Sequence, residues 1–153
     1  MSGPVARRLL VVPVLVAGLC AGAAAAAAPA TYVLDPERSF VHFEVVHFGA
    51  STIRGRLGPA QGSVRLDRGA RRAEADVRVP TTGVDTGVRP FDARLRRDDR
   101  LASEAYPEAF FVARQARFEG GQLAELRGEF TLRGIGQPLT LRALHFACAA
   151  DAG

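Results

Sequence analysis

The longest stretch of strand-like patterning lies between Ser39 and Leu57. Residues 40–48 are rich in β-branched and aromatic side chains, the composition of a strand. Side chains alternate along a strand, so Val41, Phe43 and Val45 share one face, while Phe40, His42, Glu44 and Val46 share the other. Gly49-Ala50-Ser51 breaks the run. Residues 52–57 restart it, with Ile53 and Leu57 on one face and Arg54 and Arg56 on the other. Gly55 inside this second run predicts a bend or a close approach.

The same period continues downstream. Val64 and Leu66 carry the apolar face past a turn at 58–62. Residues 73–79 alternate most cleanly: Ala73, Ala75, Val77 and Val79 point one way, and Glu74, Asp76 and Arg78 the other. That is a half-buried antiparallel strand with one wet face. Residues 80–90 are irregular. Over 91–101 the period of two is lost, and Phe91 and Leu95 recur at helical spacing, which predicts one or two helical turns acting as a lid or plug. Residues 109–118 form a strand in which Phe111 is assigned inward, although Phe110 and Val112 beside it are equally apolar. A hairpin loop at 119–122 leads to a strand at 123–133 with Leu126, Gly128, Phe130 and Leu132 on one face. A turn is expected at 134–138 and a last strand at 139–146, with Leu139, Leu141 and Ala143 inward.

About seven short strands with tight turns and almost no helix make an all-β chain, a sandwich or a barrel. Val41, Phe43, Val45, Ile53, Leu57, Val64, Val77, Phe111, Phe130, Leu132 and Leu141 are expected to face a shared interior. Many other inward positions are small, which leaves room for a ligand as in a ligand-holding barrel. The alternative is a sandwich core filled by the nine Phe.

The first thirty residues change the picture. Arg7-Arg8 precede an apolar run and then an Ala-rich stretch ending at Pro29-Ala30. This is the pattern of a secretory signal peptide over residues 1–30, with cleavage after Ala28 or Ala30. A membrane anchor is the first rival, weakened by Pro13 and by the weak hydropathy of Ala. A lipoprotein anchor at Cys20 is the second, weakened by Leu19 before it. The expected location is periplasmic or secreted, with no stable membrane span once the signal is removed. The exported part then keeps a single cysteine, Cys148, either a buried thiol or half of a disulfide.

Charge and candidate chemistry exclude more than they assign. The 153-residue chain is long enough for one domain. Its basic residues are all Arg, and its net charge of +4 falls to +2 once Arg7 and Arg8 are set aside. The one cluster, at Arg94, Arg96, Arg97 and Arg100, is interleaved with Asp92, Asp98 and Asp99, so no nucleic-acid partner is expected. His42 and His47 fall on opposite faces of their strand, which argues against a shared metal. His47 at the strand end suits either a polar head group or a backbone carbonyl. No nucleophile motif, phosphate-cradling loop or Cys/His pair is present. No enzyme, metal or cofactor is therefore expected.

Several stretches resemble the YceI-like family of polyisoprenoid-binding, lipocalin-like periplasmic proteins. Ser39-Phe-Val-His-Phe-Glu-Val-Val-His47-Phe-Gly49 and Thr52-Ile-Arg-Gly55-Arg-Leu57 match its opening pattern. Val84-Asp-Thr86 and Phe91-Asp-Ala-Arg-Leu95 match its middle. Tyr106-Pro-Glu-Ala-Phe-Phe111, Gly128-Glu-Phe-Thr131-Leu-Arg-Gly134 and Pro138-Leu-Thr-Leu141 match its later part. The chain departs from the pattern at Gly83, where the family usually has Ser, at Arg94 (His), and at Gly136 and Gln137 (Thr and Lys).

The resemblance implies a lipocalin-like antiparallel β-barrel over residues 31–153, with a short helical segment near 91–101. Family members usually continue with closing strands, so the barrel is expected to be incomplete or open here, with a partner for Cys148 absent. An apolar last strand at a sheet edge also offers a route to dimerisation. The implied function is a binding protein for an isoprenoid lipid or quinone. The expected ligand-facing set is the interior list above together with His47. The alternatives are a hydrolase or isomerase on a similar lipid, with His47 or Asp92 as base, and an exported structural protein without a ligand.

Overall fold

The computed structural model describes residues 28–145 except Phe48, with His47 described by its backbone alone. Residues 1–27, including Cys20, and Cys148 lie outside the described residues. Among the described residues eight strands, one more than the pattern predicts, run in the order β1 (Ala30–Val33), β2 (Val41–His47), β3 (Ser51–Leu57), β4 (Gln61–Asp67), β5 (Arg72–Pro80), β6 (Glu108–Glu119), β7 (Gln122–Leu132) and β8 (Ile135–Arg142). One helix, α1 (Arg89–Leu95), and a 3-10 turn at Thr81–Gly83 lie between β5 and β6.

The strands form a six-stranded antiparallel sheet in the order β1-β4-β5-β6-β7-β8, and a separate β2–β3 hairpin. Among the described residues β1 and β8 are its two edges, so the lipocalin-like barrel is open there. An isolated bridge joins the hairpin to the segment before α1: Arg56 and Asp85 exchange both backbone N–H···O bonds at 2.9 Å.

Two boundaries differ from the sequence reading. The turn expected at 134–138 is shorter and earlier. Arg133 and Gly134 form a two-residue loop with φ of 52° and 71° between the paired residues Leu132 and Ile135. Positive φ at both positions is the geometry of a tight type I′ hairpin. Pro138 therefore stands inside β8, opposite Glu129, which an edge strand tolerates because the missing N–H need not join a ladder. The last strand accordingly ends at Arg142, not at Phe146, which lies outside the described residues. The helix also begins earlier than expected and stops at Leu95. Pro90 in its first turn has φ pre-set for helix and no N–H to lose there.

Cross-strand register sorts the inner face of the large sheet into rows. Tyr32, Val64, Ala75, Ala113, Gly128 and Leu139 lie side by side across all six strands. The next row is Gly62, Val77, Phe111, Phe130 and Gln137, and a third contains Ala116, Leu126 and Leu141. Phe111 is thus inward and 5% exposed, while Phe110 faces out at 42%. The small central residues do not leave a hollow. Ala75 and Ala113 are buried because Val64, Val77, Leu126, Phe111 and Phe130 close over them.

That closure depends on backbone contact that only glycine allows. A Cβ at Gly128 would lie 2.2 Å from the Val112 carbonyl oxygen and 2.7 Å from the Ala113 Cα. A Cβ at Gly62 would lie 2.0 Å from the Asp76 oxygen. Glycine kinks of this kind let a sheet coil toward a barrel. A β-bulge between Ala113 and Gln115 adds to the bend on β6.

The outer face is held by ion pairs, most of them between exposed partners. The exception is Glu125, whose side chain is 7% exposed and lies opposite Arg117 on β6 and Arg142 on β8. Arg117 reaches it at 2.8 Å, Arg127 at 3.1 Å and Arg142 at 3.6 Å. The hydrogen bond from Arg117, followed by that from Arg127, holds the Glu125 carboxyl at about 2, below its ordinary 4.5.

Two predictions follow from this packing. Gly128→Ala should destabilise the protein by about 1–3 kcal/mol, the usual cost of overpacking. Gly136→Ala in the same hairpin should be milder, because the added Cβ meets only the mobile end of Glu129. Chemical denaturation of both variants checks this. For Glu125 the folded-state pKa is depressed, so its contribution is complete above pH 4.5 and fades as pH falls toward 2. The stability gap between wild type and Glu125→Gln should therefore be widest above pH 4.5 and close near pH 2, as read from denaturation midpoints across that range.

Candidate functional site

An apolar-lined cleft of about 770 Å³ opens at the β7–β8 turn. Phe130, Leu132 and Ile135 supply its apolar wall, and Tyr106, Arg133 and Gln137 its polar rim. The tight hairpin builds this wall, because Leu132 and Ile135 are directly paired and Phe130 pairs with Gln137. Tyr106 is brought to the rim by Thr81, which is fully buried. The Thr81 hydroxyl donates to the Tyr106 carbonyl at 2.7 Å, and its N–H donates to the Pro107 carbonyl at 2.8 Å.

Of the residues expected to face a ligand, Phe130 and Leu132 line this cleft. Val64, Val77 and Phe111 lie on the same inner face, in the rows behind it. Leu141 is on that face too but near the β8 edge, 44% exposed. Leu57 is buried with Ala60, Val79 and Val84 under the β2–β3 hairpin, and Phe43 packs against that cluster. Val41, Phe43 and Val45 pair with Leu57, Gly55 and Ile53, so all share one hairpin face. Val41 and Val45 remain exposed on it. His47 ends β2, and its side chain lies outside the described residues. Tyr106, Ile135 and Gln137 are cleft residues that the sequence reading omits. The parity of Leu139 and Leu141, carried back through Pro138, would have reached Gln137 and Ile135.

A polar segment closes one side of the interior. Asp85 bonds Arg56 through its backbone and through its carboxylate, which sits 3.0 Å from the Arg56 guanidinium. The Gly87 N–H and the Arg56 side chain hold the Asp85 carboxyl below its ordinary range. The ring of Phe40 lies 4.8 Å from the same guanidinium. Beside it, Asp92 on α1 is 7% exposed. Its Oδ1 accepts from the Thr86 N–H at 2.8 Å and from the Thr86 hydroxyl at 2.6 Å. Leu95 and Leu101 pack against the Leu57 cluster. Residues 84–101 are therefore a docked plug. The Phe43 ring lies against Gly55, where a Cβ would fall 2.5 Å from Cζ, so the close approach predicted at Gly55 is made by this ring.

Among the described residues no group of three His, Cys, Asp or Glu side chains is placed to hold a metal ion, and no helix is long and apolar enough to cross a membrane.

A family model described as "YceI-like domain" matches residues 32–153. The chain belongs to the YceI-like family. Protein YceI of Escherichia coli O157:H7 is 33% identical over 123 residues, covering 78% of this chain and 64% of that protein. A UPF0312 protein of Shewanella sp. strain ANA-3 is 33% identical over 121 residues, covering 77% of this chain and 63% of its own length. The chain thus spans just under two thirds of these relatives. In fold it is similar to the crystal structure of Burkholderia cenocepacia BcnA, with TM-score 0.60 and 20% identity over 69% of this chain and 67% of that one. It is also similar to the Campylobacter jejuni YceI protein, with TM-score 0.55 and 21% identity over 71% and 64%.

Within the YceI-like pattern, the Val84-Asp-Thr86 and Phe91–Leu95 segments now have a physical role: they carry the two anchors of the plug. At Gly83, where the resemblance implies Ser, a Cβ would lie 2.0 Å from the Gly58 carbonyl oxygen. Glycine there goes with a tight approach between the 3-10 turn and the end of β3.

Asp92→Ala should cost about 1–3 kcal/mol, because it leaves the Thr86 donors unpaired in a part-buried place. Asp92→Asn, which keeps an acceptor, should cost less. Hydrogen exchange should speed up over residues 84–95 and stay unchanged in β5–β7.

Proposed function

We propose that this chain is an exported binding protein that holds a long apolar lipid, an isoprenoid or a quinone, against the inner face of the open sheet. The observation that carries the reading is the cleft at the β7–β8 turn. It joins an apolar wall of Phe130, Leu132 and Ile135 to a polar rim, and its volume falls in the usual range for small-molecule sites. The inner face continues from it through Phe111, Leu126, Leu139 and Leu141, of which Leu139 and Leu141 keep 38% and 44% of their surface in solvent. A chain-like ligand lying along this face covers apolar surface that the protein leaves wet.

The energetics need no catalysis. Burial is worth about 0.8 kcal/mol per methylene, so a five-carbon isoprene unit contributes on the order of 3–4 kcal/mol. A few units exceed the estimated association cost of about 4–15 kcal/mol. The rim of Tyr106, Arg133 and Gln137 suits the polar end of such a molecule, and Gln137 is neutral where the resemblance implies Lys. Asp92, the candidate base of the hydrolase reading, has its Oδ1 bonded to Thr86 in the plug, which favours binding over catalysis. The isoprenoid identity rests on the family resemblance, and export rests on the pattern of residues 1–30.

A second reading comes from β8. All eight of its residues are exposed, and among the described residues it is a sheet edge. A second copy pairing there would extend the sheet and cover Leu139 and Leu141.

The test is expression of the full chain in a bacterium, recovery from the envelope, and mass spectrometry of both protein and extracted lipid. The expected result is a new N-terminus after Ala28 or Ala30 and a stoichiometric prenyl lipid. Ile135→Asp, at a cleft-wall residue that is 64% exposed, should abolish that lipid while circular dichroism stays unchanged. A protein that carries no prenyl lipid, or an Ile135→Asp variant that carries as much as wild type, overturns the reading. Dimerisation that persists in Leu139→Lys overturns the edge pairing.

A further inference from the structure

The arginine cluster around α1 looks neutralised in the sequence, and the structure turns two of its three acids to other partners, while Asp98 stays exposed beside Arg97. Asp92 is turned inward onto Thr86. Asp99 pairs with its neighbour Arg100 at 3.1 Å. Arg96 is tied to the Thr82 carbonyl. Arg89, Arg94 and Arg97 are exposed and have no side-chain partner among the described residues.

Two apolar side chains stand among these arginines. Val88 is 51% and Phe91 41% exposed. Asp92, Leu95 and Arg96 form the inward side of the helix and Arg94 lies on the opposite side, while Phe91 is exposed at its flank and Val88, the N-cap residue, at its start. Exposed aromatic and aliphatic groups set among arginines are the composition of surfaces that lie at a lipid interface. Arginines near an anionic leaflet gain further from its surface potential.

The same segment reaches the cleft. Arg133 on the cleft rim donates to the Asp98 carbonyl at 3.0 Å, and the Tyr106 N–H donates to the Ala102 carbonyl at 2.8 Å. A partner bound to the outer side of α1 is therefore linked to the rim through residues 98–106.

We propose that the exposed face of residues 88–97, with Val88 and Phe91 between Arg89, Arg94 and Arg97, docks the protein on an anionic lipid bilayer. This face is separate from the cleft, and only the choice of a membrane over another anionic partner leans on the lipid-binding reading. The charge complement is phosphodiester head groups, and the apolar pair enters the boundary beneath them. Nucleic acid offers the same phosphates but no bed for Val88.

The experiment is vesicle sedimentation of the full chain, with vesicles of phosphatidylcholine alone or of phosphatidylcholine and phosphatidylglycerol in equal parts. Residues 1–30 are common to all variants and cancel in the comparison. Wild type should prefer the anionic vesicles, and salt should weaken that preference. Arg94→Gln/Arg97→Gln should lower partition on the order of twentyfold, since each arginine at an anionic surface is worth roughly fivefold. Arg65→Gln/Arg71→Gln removes the same charge from the opposite end of β5 and should change little. Phe91→Ser should weaken binding without altering the salt dependence. Equal losses from the two arginine pairs would mean a general charge effect and overturn the proposal. So would a duplex DNA that binds as tightly as anionic vesicles and is lost in the same variant. Failure of the lipid-binding reading shows separately, as no prenyl lipid in the extract.

Discussion

The bend of the large sheet depends on two places where one strand's backbone presses against the next. At Gly128 and Gly62 there is no room for a Cβ between neighbouring strands. The consequence is not local. Coiling at these points brings the rows on either side of Ala75 and Ala113 together, so that Phe111, Phe130 and Leu126 roof over them. The alanines are thus required by the curvature rather than left over for a ligand. A larger residue at Ala113, which is fully buried, would push the roof apart. Open volume lies instead where the coil ends, at the β7–β8 turn, where among the described residues no further strand pairs beside Ile135 and Gln137.

Much of this fold is legible in the sequence because period-two alternation is imposed by burial on one face. Strands β4 to β7 lie close to their predicted places, and the inward parity of Val64, Val77, Phe111 and Phe130 agrees with the register. What misleads is local chemistry read without its edge. Gly134, Gly136 and Pro138 together spell a long turn. In the fold Gly134 supplies the positive φ, Gly136 faces Glu129, and Pro138 is harmless because β8 has one unpaired side. The cleft residues Ile135 and Gln137 are lost with that misplacement. Small inward residues mislead in the same way, since sequence cannot tell a space that is filled by a neighbour's ring from one that is empty.

The plug over 84–101 illustrates a different gap. Counting charges treats Asp92 as a counter-ion to the nearby arginines. Its helical position places it on the side of Leu95 and Arg96, and its carboxylate closes the Thr86 turn instead. Asp85 does the matching work on the other side, bonding Arg56 on β3. These two acids are the fastenings of an irregular segment whose backbone has few ladder bonds of its own. Fastening the plug through side chains leaves its outer side without a structural duty, which is why three arginines and two apolar groups can stand there unpaired.

The outer face of the large sheet solves the opposite problem. There the arginines are consumed. Glu125 gathers Arg117, Arg127 and Arg142 from three adjacent strands, and Arg114, at the β6 bulge, reaches both Asp76 and the Ala75 carbonyl. These contacts run across strands, so they tie β5 to β8 from outside while the apolar rows tie them from inside. Two regions of similar composition therefore differ in availability. On the sheet the arginines face acids fixed by register at their own level; on α1 the nearest acid in sequence is turned inward. Net charge cannot separate these cases, but the direction in which each carboxylate points can.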